Sequence, residues 1–149
     1  MSAEPTSAPV VCAHGGDLSE SVPTLHAAAA VAAAFAAPLL VVVGYDPPLI
    51  GGEVGDLRRA AGDLAQQLLD EAVAEIARVA PDVTVEPILV EDRPTESVLF
   101  VAEQRGARMI VVGHGGEGPV RGALLGSVTY NLVHRSPVPV LVVPSPDAD

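Results

Sequence analysis

The chain has 149 residues, of which 49% are hydrophobic and 3% aromatic, and its formal net charge is −11. This composition is typical of one globular domain, and so acidic a surface repels nucleic acid and anionic membranes at long range. All eight basic residues are Arg, which excludes a P-loop lysine, a Schiff-base lysine and a lysine general base.

Cysteine content and the amino-terminal sequence bear on the compartment. Cys12 is the only cysteine, so no internal disulfide and no cysteine-rich metal site is expected, and we interpret Cys12 as a buried apolar filler. The first residues, MSAEPTSAP, lack the basic start and apolar run of a secretory signal. We predict one cytoplasmic domain over residues 1–149, with flexible ends at 1–8 and 145–149.

Five segments are predicted to be strands. Four are short, continuous and rich in β-branched residues, which is typical of strands buried on both faces; they are 10–14, 39–45, 109–113 and 138–144. The fifth, 83–90, alternates in part. Its Pro87 cannot donate a hydrogen bond to a neighbouring strand, which predicts a place at a sheet edge.

Four helices are predicted between these strands. Ser19 is expected to cap the first, which ends near Ala37 and has Pro23 close to its start. Pro94 opens the third, and the fourth covers 127–134. The apolar run 27–43 is broken by Pro38, so we interpret it as the end of the first helix and a buried strand, not a membrane span.

The second helix is predicted from apolar residues spaced three and four apart, which should form one buried face. These residues are Leu57, Ala61, Leu64, Leu68, Ala72, Ile76 and Val79. Strict alternation of strands and helices predicts an α/β fold, with a five-stranded parallel sheet, right-handed crossovers and helices on both faces.

The expected strand order is 3-2-1-4-5, which reverses direction between strands 1 and 4. Ligands of such sheets bind beyond the carboxyl ends of the strands at the reversal. The residues expected to meet there follow strand 1, beginning at His14, and strand 4, from Gly113 onward. The Pro/Gly-rich segment 46–55 lies beside the same edge and could act as a lid or as a simple connection.

The glycine-rich stretch after strand 4 contains a dinucleotide-type match, Gly113-x-Gly115-x-x-Gly118. That motif belongs to the first strand-to-helix turn, with an acidic residue about 20 positions later. Here it follows the fourth strand, the residues around position 133 contain no acid, and Pro119 would interrupt the helix. The context therefore argues against this interpretation.

A second spacing in the same stretch fits phosphate binding better. Gly113 and Gly116 are followed by nine residues and then by Gly126 and Ser127. Gly115 and Gly116 allow positive φ, so their N–H groups can line an anion site. Gly126 and Ser127 open a helix whose free N–H groups and dipole favour phosphate.

Two side chains in this stretch could assist. The Ser127 hydroxyl can cap the helix or donate to a phosphate oxygen, and a phosphoryl-acceptor role is the lesser alternative because no base is evident beside it. Arg121 is the only permanent cation nearby that could offset phosphate charge. The four histidines share no ligand spacing with one another or with carboxylates, so we predict no protein-held metal.

This pattern resembles the universal stress protein family in its ATP-binding branch, whose signature is G-x-x-G, nine residues, then G followed by S or T. It is present here as GHGG, EGPVRGALL and GS. The resemblance extends through GSVTYNLVHRSPVPVLVVP and the opening PVVCAHGGDLSES, and covers nearly the whole chain in outline. It implies a Rossmann-like fold of the adenine nucleotide alpha hydrolase type.

The resemblance also implies a site for ATP or a related adenine nucleotide. The residues near the phosphates would be Gly116, Gly126, Ser127 and Val128. Those along the ribose and phosphate path would be Val112, Gly113 and Gly115. Those beside the adenine would be Ala13, His14, Gly15, Gly44 and Tyr45. A Mg²⁺ could arrive with a triphosphate, held mainly by phosphate oxygens. Subunits of the family pair through the last strand, which fits residues 138–143 as an otherwise exposed apolar edge.

The function expected from this resemblance is a stress-response nucleotide-binding module that acts as a sensor without catalytic residues. One alternative is a dimeric interaction module that binds no nucleotide. It is supported by His14-Gly15-Gly16, where the family usually carries Asp-Gly-Ser, and by Gly115, where relatives often place Arg or His. Another alternative is slow ATP hydrolysis.

Overall fold

The computed structural model describes residues 7–16, 18–47, 54–115 and 125–144. Its elements alternate along the chain as predicted. They are β1 (Val10–Ala13), α1 (Leu18–Phe35), β2 (Leu39–Tyr45), α2 (Val54–Val79), β3 (Val85–Glu91), α3 (Pro94–Gln104), β4 (Met109–Gly113), α4 (Ser127–Arg135) and β5 (Val140–Val143).

The five strands form one parallel sheet in the order β3-β2-β1-β4-β5, which confirms the predicted order and the reversal between β1 and β4. The sheet edge predicted from Pro87 is also confirmed, because β3 is a terminal strand. Successive residues of a strand face opposite sides of a sheet. In β1, Val10 and Cys12 therefore pack on one side and Val11 on the other.

Each face of the sheet carries its own apolar core. The first lies under α1 and α2 and includes Leu25, Leu69 and Ile76; the second lies under α3 and α4 and includes Val98 and Leu132. Helices on both faces are therefore confirmed. Burial of so much Val and Leu is the main stabilising contribution to the sheet, and it fixes the carboxyl ends of the central strands in place.

The buried face of α2 matches the predicted one in part, since Ala72 and Ile76 are buried as predicted, but the rest of the face is shifted. Leu57 and Leu64 are 43% and 59% exposed, whereas Ala65 and Leu69 are almost fully buried. The two rows are neighbours on the helix surface, and the sequence makes both apolar. Packing of α2 against α1 and β2 buries the row that also contains Ala72 and Ile76.

Two element ends also differ from expectation. The first helix begins at Leu18, so Ser19 lies in its first turn and does not cap it. The last strand begins at Val140, not Val138, because the Ser136 hydroxyl donates to the Val138 carbonyl and accepts from the Val138 N–H, which holds that residue in a turn.

At the opposite end of the sheet, Arg108 fixes the start of the described chain. Its guanidinium donates to the Ala8 carbonyl (2.8 Å) and to the Ser7 hydroxyl (2.8 Å), and it lies over the Phe35 ring. Segments 1–6 and 145–149, predicted to be flexible, lie outside the described residues. No helix within the described ranges is long and apolar enough to cross a bilayer.

Candidate functional site

The carboxyl ends of β1 and β4 lie side by side, as predicted. Cys12 pairs with Val111 in the parallel register, and just beyond it the His14 N–H donates to the Val42 carbonyl of β2 (2.9 Å). The His114 N–H, just after β4, donates to the Val143 carbonyl of β5 (2.8 Å). The loops that leave β1 and β4 therefore start at the same edge of the sheet.

The start and end of the β4–α4 connection meet in space. Gly126 N–H donates to the His114 carbonyl (3.1 Å). Gly115 has a φ of +70°, and a Cβ on it would lie 3.1 Å from the Gly126 Cα and 3.2 Å from the Gly126 nitrogen. The left-handed backbone favours glycine at position 115, and this close approach leaves little room for a Cβ there.

The amino terminus of α4 lies at this contact. Gly126 is the N-cap residue, in an extended conformation, and no side chain of the described residues caps the helix. Ser127 is the first helical residue and is exposed, so it is not the cap. No described side chain occupies the first N–H groups of α4, and the helix dipole favours an anion there.

We call Gly113, Gly115, Gly126 and Ser127, with the backbone between them where it is described, the glycine cradle. Gly116 and Arg121, which the sequence assigns to the same site, lie outside the described residues, as do 48–53 of the possible lid. The structure brings the cradle members together although ten residues lie between Gly115 and Gly126 along the chain.

Two threonines beside the cradle were not predicted from the sequence, and one of them is hydrogen-bonded to it. Thr129 of α4 is 2% exposed and donates its hydroxyl to the Gly113 carbonyl at 2.6 Å. Thr24 of α1 is 7% exposed, and its Oγ1 lies 2.9 Å from the place where a Cβ on Gly113 would stand. The available signal was a polar residue on a buried helix face, three positions before the buried Leu132.

His14 lies at the end of β1 and is 7% exposed. Its Nε2 has no hydrogen-bond partner among the described residues. Burial lowers the pKa of the imidazole below its ordinary value, and a hydrogen bond with the Leu68 backbone acts in the opposite direction. The neutral ring is therefore favoured, which leaves one nitrogen as a donor and the other as an acceptor.

Several residues expected at the adenine also have packing roles. A Cβ on Gly44 would collide with the Ser97 side chain of α3, and Tyr45 packs against Gly62 of α2, its hydroxyl 3.3 Å from the Cβ position there. Ala13, Val112 and Val128, the remaining apolar members of the expected site, contribute to the second core. Gly15 is exposed.

Cys12 is fully buried, and burial raises the pKa of its thiol to about 12. Its burial confirms the interpretation of Cys12 as a buried apolar filler. No group of three or more His, Cys, Asp or Glu side chains with metal-binding geometry occurs within the described ranges.

Four arginine side chains in the described part of the chain are paired with glutamates. Arg78, Arg105 and Arg135 form ion pairs with Glu75, Glu86 and Glu96, and a fourth pair joins Arg58 to Glu91. An anion in the cradle would therefore be held mainly by N–H groups and the helix dipole.

Together these features define a class: a Rossmann-like α/β protein with a glycine cradle at the reversal of its sheet. The model of the Universal stress protein family matches residues 8–144. The chain belongs to the universal stress protein family, which confirms the resemblance noted in the sequence.

Relatives with similar sequences support this assignment. A universal stress protein of Thermus aquaticus is 34% identical over 119 residues, which are 78% of this chain and 84% of the relative. One of Methanocaldococcus jannaschii is 33% identical over 86 residues, 54% of this chain and 53% of the relative. One of Mycobacterium tuberculosis is 38% identical over 78 residues, 52% of this chain. The match spans only 26% of that mycobacterial protein.

Solved structures share the fold. A universal stress protein of Archaeoglobus fulgidus has a TM-score of 0.74 at 23% identity, covering 91% of this chain and 98% of that one. A universal stress protein solved in complex with cAMP has a TM-score of 0.70 at 27% identity, with 94% and 98% covered. An Archaeoglobus fulgidus protein in complex with dAMP has a TM-score of 0.69 at 22% identity, with 91% and 97% covered.

Proposed function

We propose that this chain binds ATP or a related adenine nucleotide at the carboxyl ends of β1 and β4, and acts as a regulatory module in the stress response. The observation that carries the proposal is the close approach of Gly126 to the positive-φ Gly115 at the start of α4, where no described side chain caps the helix. The complexes of family members with cAMP and dAMP give it further support. A cytoplasmic location stays a prediction from the sequence.

In this proposal the phosphates lie on the glycine cradle, next to Ser127. Gly116 and Arg121 are expected to complete that end of the site. The base lies toward the end of β1, near His14, and Mg²⁺ would be carried by phosphate oxygens. Such a site binds and orients the nucleotide through backbone N–H groups.

The proposal is tested by calorimetry with ATP, AMP and cAMP in the presence of Mg²⁺. Gly115→Ala is expected to lower ATP affinity at least about tenfold, since a methyl group there meets Gly126 and shifts the cradle. Gly106→Ala is the matched control. Gly106 also has a positive φ, +60°, but a Cβ on it meets nothing within 4 Å. Both variants bear a left-handed backbone cost of about 1–2 kcal/mol.

Wild-type protein that gives neither heat nor a thermal shift at about millimolar nucleotide contradicts the proposal, because that concentration detects even weak sites. That result would favour the alternative of an interaction module. Phosphate release measured in the same samples tests slow ATP hydrolysis, with Ser127→Ala and Gly116→Val as controls. Release that survives both changes indicates a contaminating enzyme.

We also propose a homodimer paired through residues 138–143. β5 is an edge strand whose Leu141 is 38% exposed, and an unpaired apolar edge favours addition of another strand. Sedimentation equilibrium should give twice the chain mass of 15.2 kDa. Leu141→Glu should shift the protein toward monomer, whereas Phe100→Glu, at a 58% exposed position on α3, should not. A wild-type monomer at all concentrations would refute the dimer.

A further inference from the structure

Thr129 makes an uncommon hydrogen bond for a helical threonine. A buried threonine in a helix commonly donates to a carbonyl three or four residues earlier in its own helix. Thr129 instead donates to the Gly113 carbonyl, sixteen residues away at the end of β4, at 2.6 Å. Its 2% exposure means that loss of this bond would leave a buried polar group unpaired.

The bond closes the base of the glycine cradle. On one side of the loop, Thr129 holds Gly113; on the other, the Gly126 N–H holds the His114 carbonyl at 3.1 Å. Oγ1 of Thr129 also lies 3.4 Å from the Cβ position of Gly115, directly behind the left-handed turn. One hydroxyl therefore bonds the strand end and lies beside the residue that approaches Gly126.

Gly113 is confined from the opposite direction as well. Thr24 of α1 stands 2.9 Å from its Cβ position, so the Gly113 backbone lies between two helices. Because Thr129 fixes its carbonyl, the peptide groups that follow leave β4 in one direction. That direction decides whether their N–H groups and the start of α4 point at a common anion.

We infer that Thr129 is a positioning residue for the phosphate half of the site: its hydroxyl holds the glycine cradle in the shape that accepts phosphate, without contacting the nucleotide. The inference rests on the proposed function for its ligand. It predicts that the hydroxyl matters for phosphate and not for the base, a distinction that a general role in packing would not produce.

The test compares Thr129→Val, which keeps the shape and removes the hydroxyl, with Thr129→Ser, which keeps the hydroxyl. Calorimetry with ATP and with adenosine separates the two halves of the site. Thr129→Val should weaken ATP about tenfold and adenosine less than about twofold, and Thr129→Ser should recover most of the ATP affinity. Equal losses for both ligands, or no rescue by Ser, would overturn the inference.

Hydrogen exchange of the Gly126 amide gives a readout that needs no ligand. Thr129→Val should speed exchange of this amide about tenfold, because the hydrogen bond that the amide donates opens more often. Thr129→Ser should not speed it. Ser136→Ala is the control: it removes a hydroxyl bond at the far end of α4 and should leave Gly126 unchanged. Unchanged exchange in Thr129→Val overturns the inference whatever the wild type binds. Absence of nucleotide binding in the wild type overturns the proposed function alone.

Discussion

At the scale of single residues, His14 makes the stability of the fold sensitive to mild acid. Burial lowers its pKa in the folded protein below the ordinary 6.5. Above that value both states carry a neutral ring. As the pH falls through 6.5, the unfolded chain takes up the proton first, so the free energy of unfolding decreases until the pH passes the folded pKa.

Urea unfolding at about pH 7.5 and about pH 5.5 measures this effect, since the ordinary histidine pKa lies between them. The wild type should lose stability at the lower pH, and His14→Gln should lose less. His134→Gln, at an exposed position, is the control and should behave like the wild type. The Glu75 carboxyl does not titrate in this pH range, because its pKa is lowered from 4.5 to about 2, chiefly by the Arg78 hydrogen bond. Its contribution to the free energy of unfolding is lost only as the pH falls between those two values. Equal pH dependence of stability in the wild type and in His14→Gln would refute the assignment of this effect to His14.

At the scale of elements, the sequence predicted best what local composition determines. A strand buried on both faces must be apolar at nearly every position, so the bounds of β2 and β4 could be read directly. Pro87 marked β3 as an edge because proline lacks the N–H that a central strand needs. The glycines of the cradle were found by spacing, since their role depends on backbone geometry and not on a side-chain partner.

Other features depend on contacts between distant parts of the chain. Periodicity predicted that α2 is amphipathic, but the predicted buried face omitted Ala65 and Leu69. Only packing against α1 and β2 selects between adjacent apolar rows of the helix. The role of Thr129 depends on its hydrogen bond to Gly113. The lack of a partner for the His14 Nε2 among the described residues depends on how α2 covers β1. Gly116 and Arg121 stay predictions from the sequence.

At the scale of the whole molecule, the proposed ligand and the protein carry charge of the same sign. The net charge is −11, and four arginines within the described ranges are neutralised by glutamates. In the described part of the site, attraction therefore comes mainly from N–H groups at contact distance, whereas repulsion acts over the whole surface. Salt screens the long-range repulsion far more than the attraction at contact distance, since the Debye length falls from about 10 Å at 0.1 M to about 3 Å at 1 M.

We therefore expect ATP affinity at constant Mg²⁺ to hold or to rise up to severalfold when sodium chloride increases from about 0.05 M to about 0.5 M. A pocket that relies on cationic side chains shows the opposite trend. Adenosine, which carries no charge, corrects for effects of salt on the base. If ATP affinity falls steeply with salt in the wild type but not in Arg121→Ala, the guanidinium of Arg121 supplies the attraction, and the cradle of N–H groups is secondary to it.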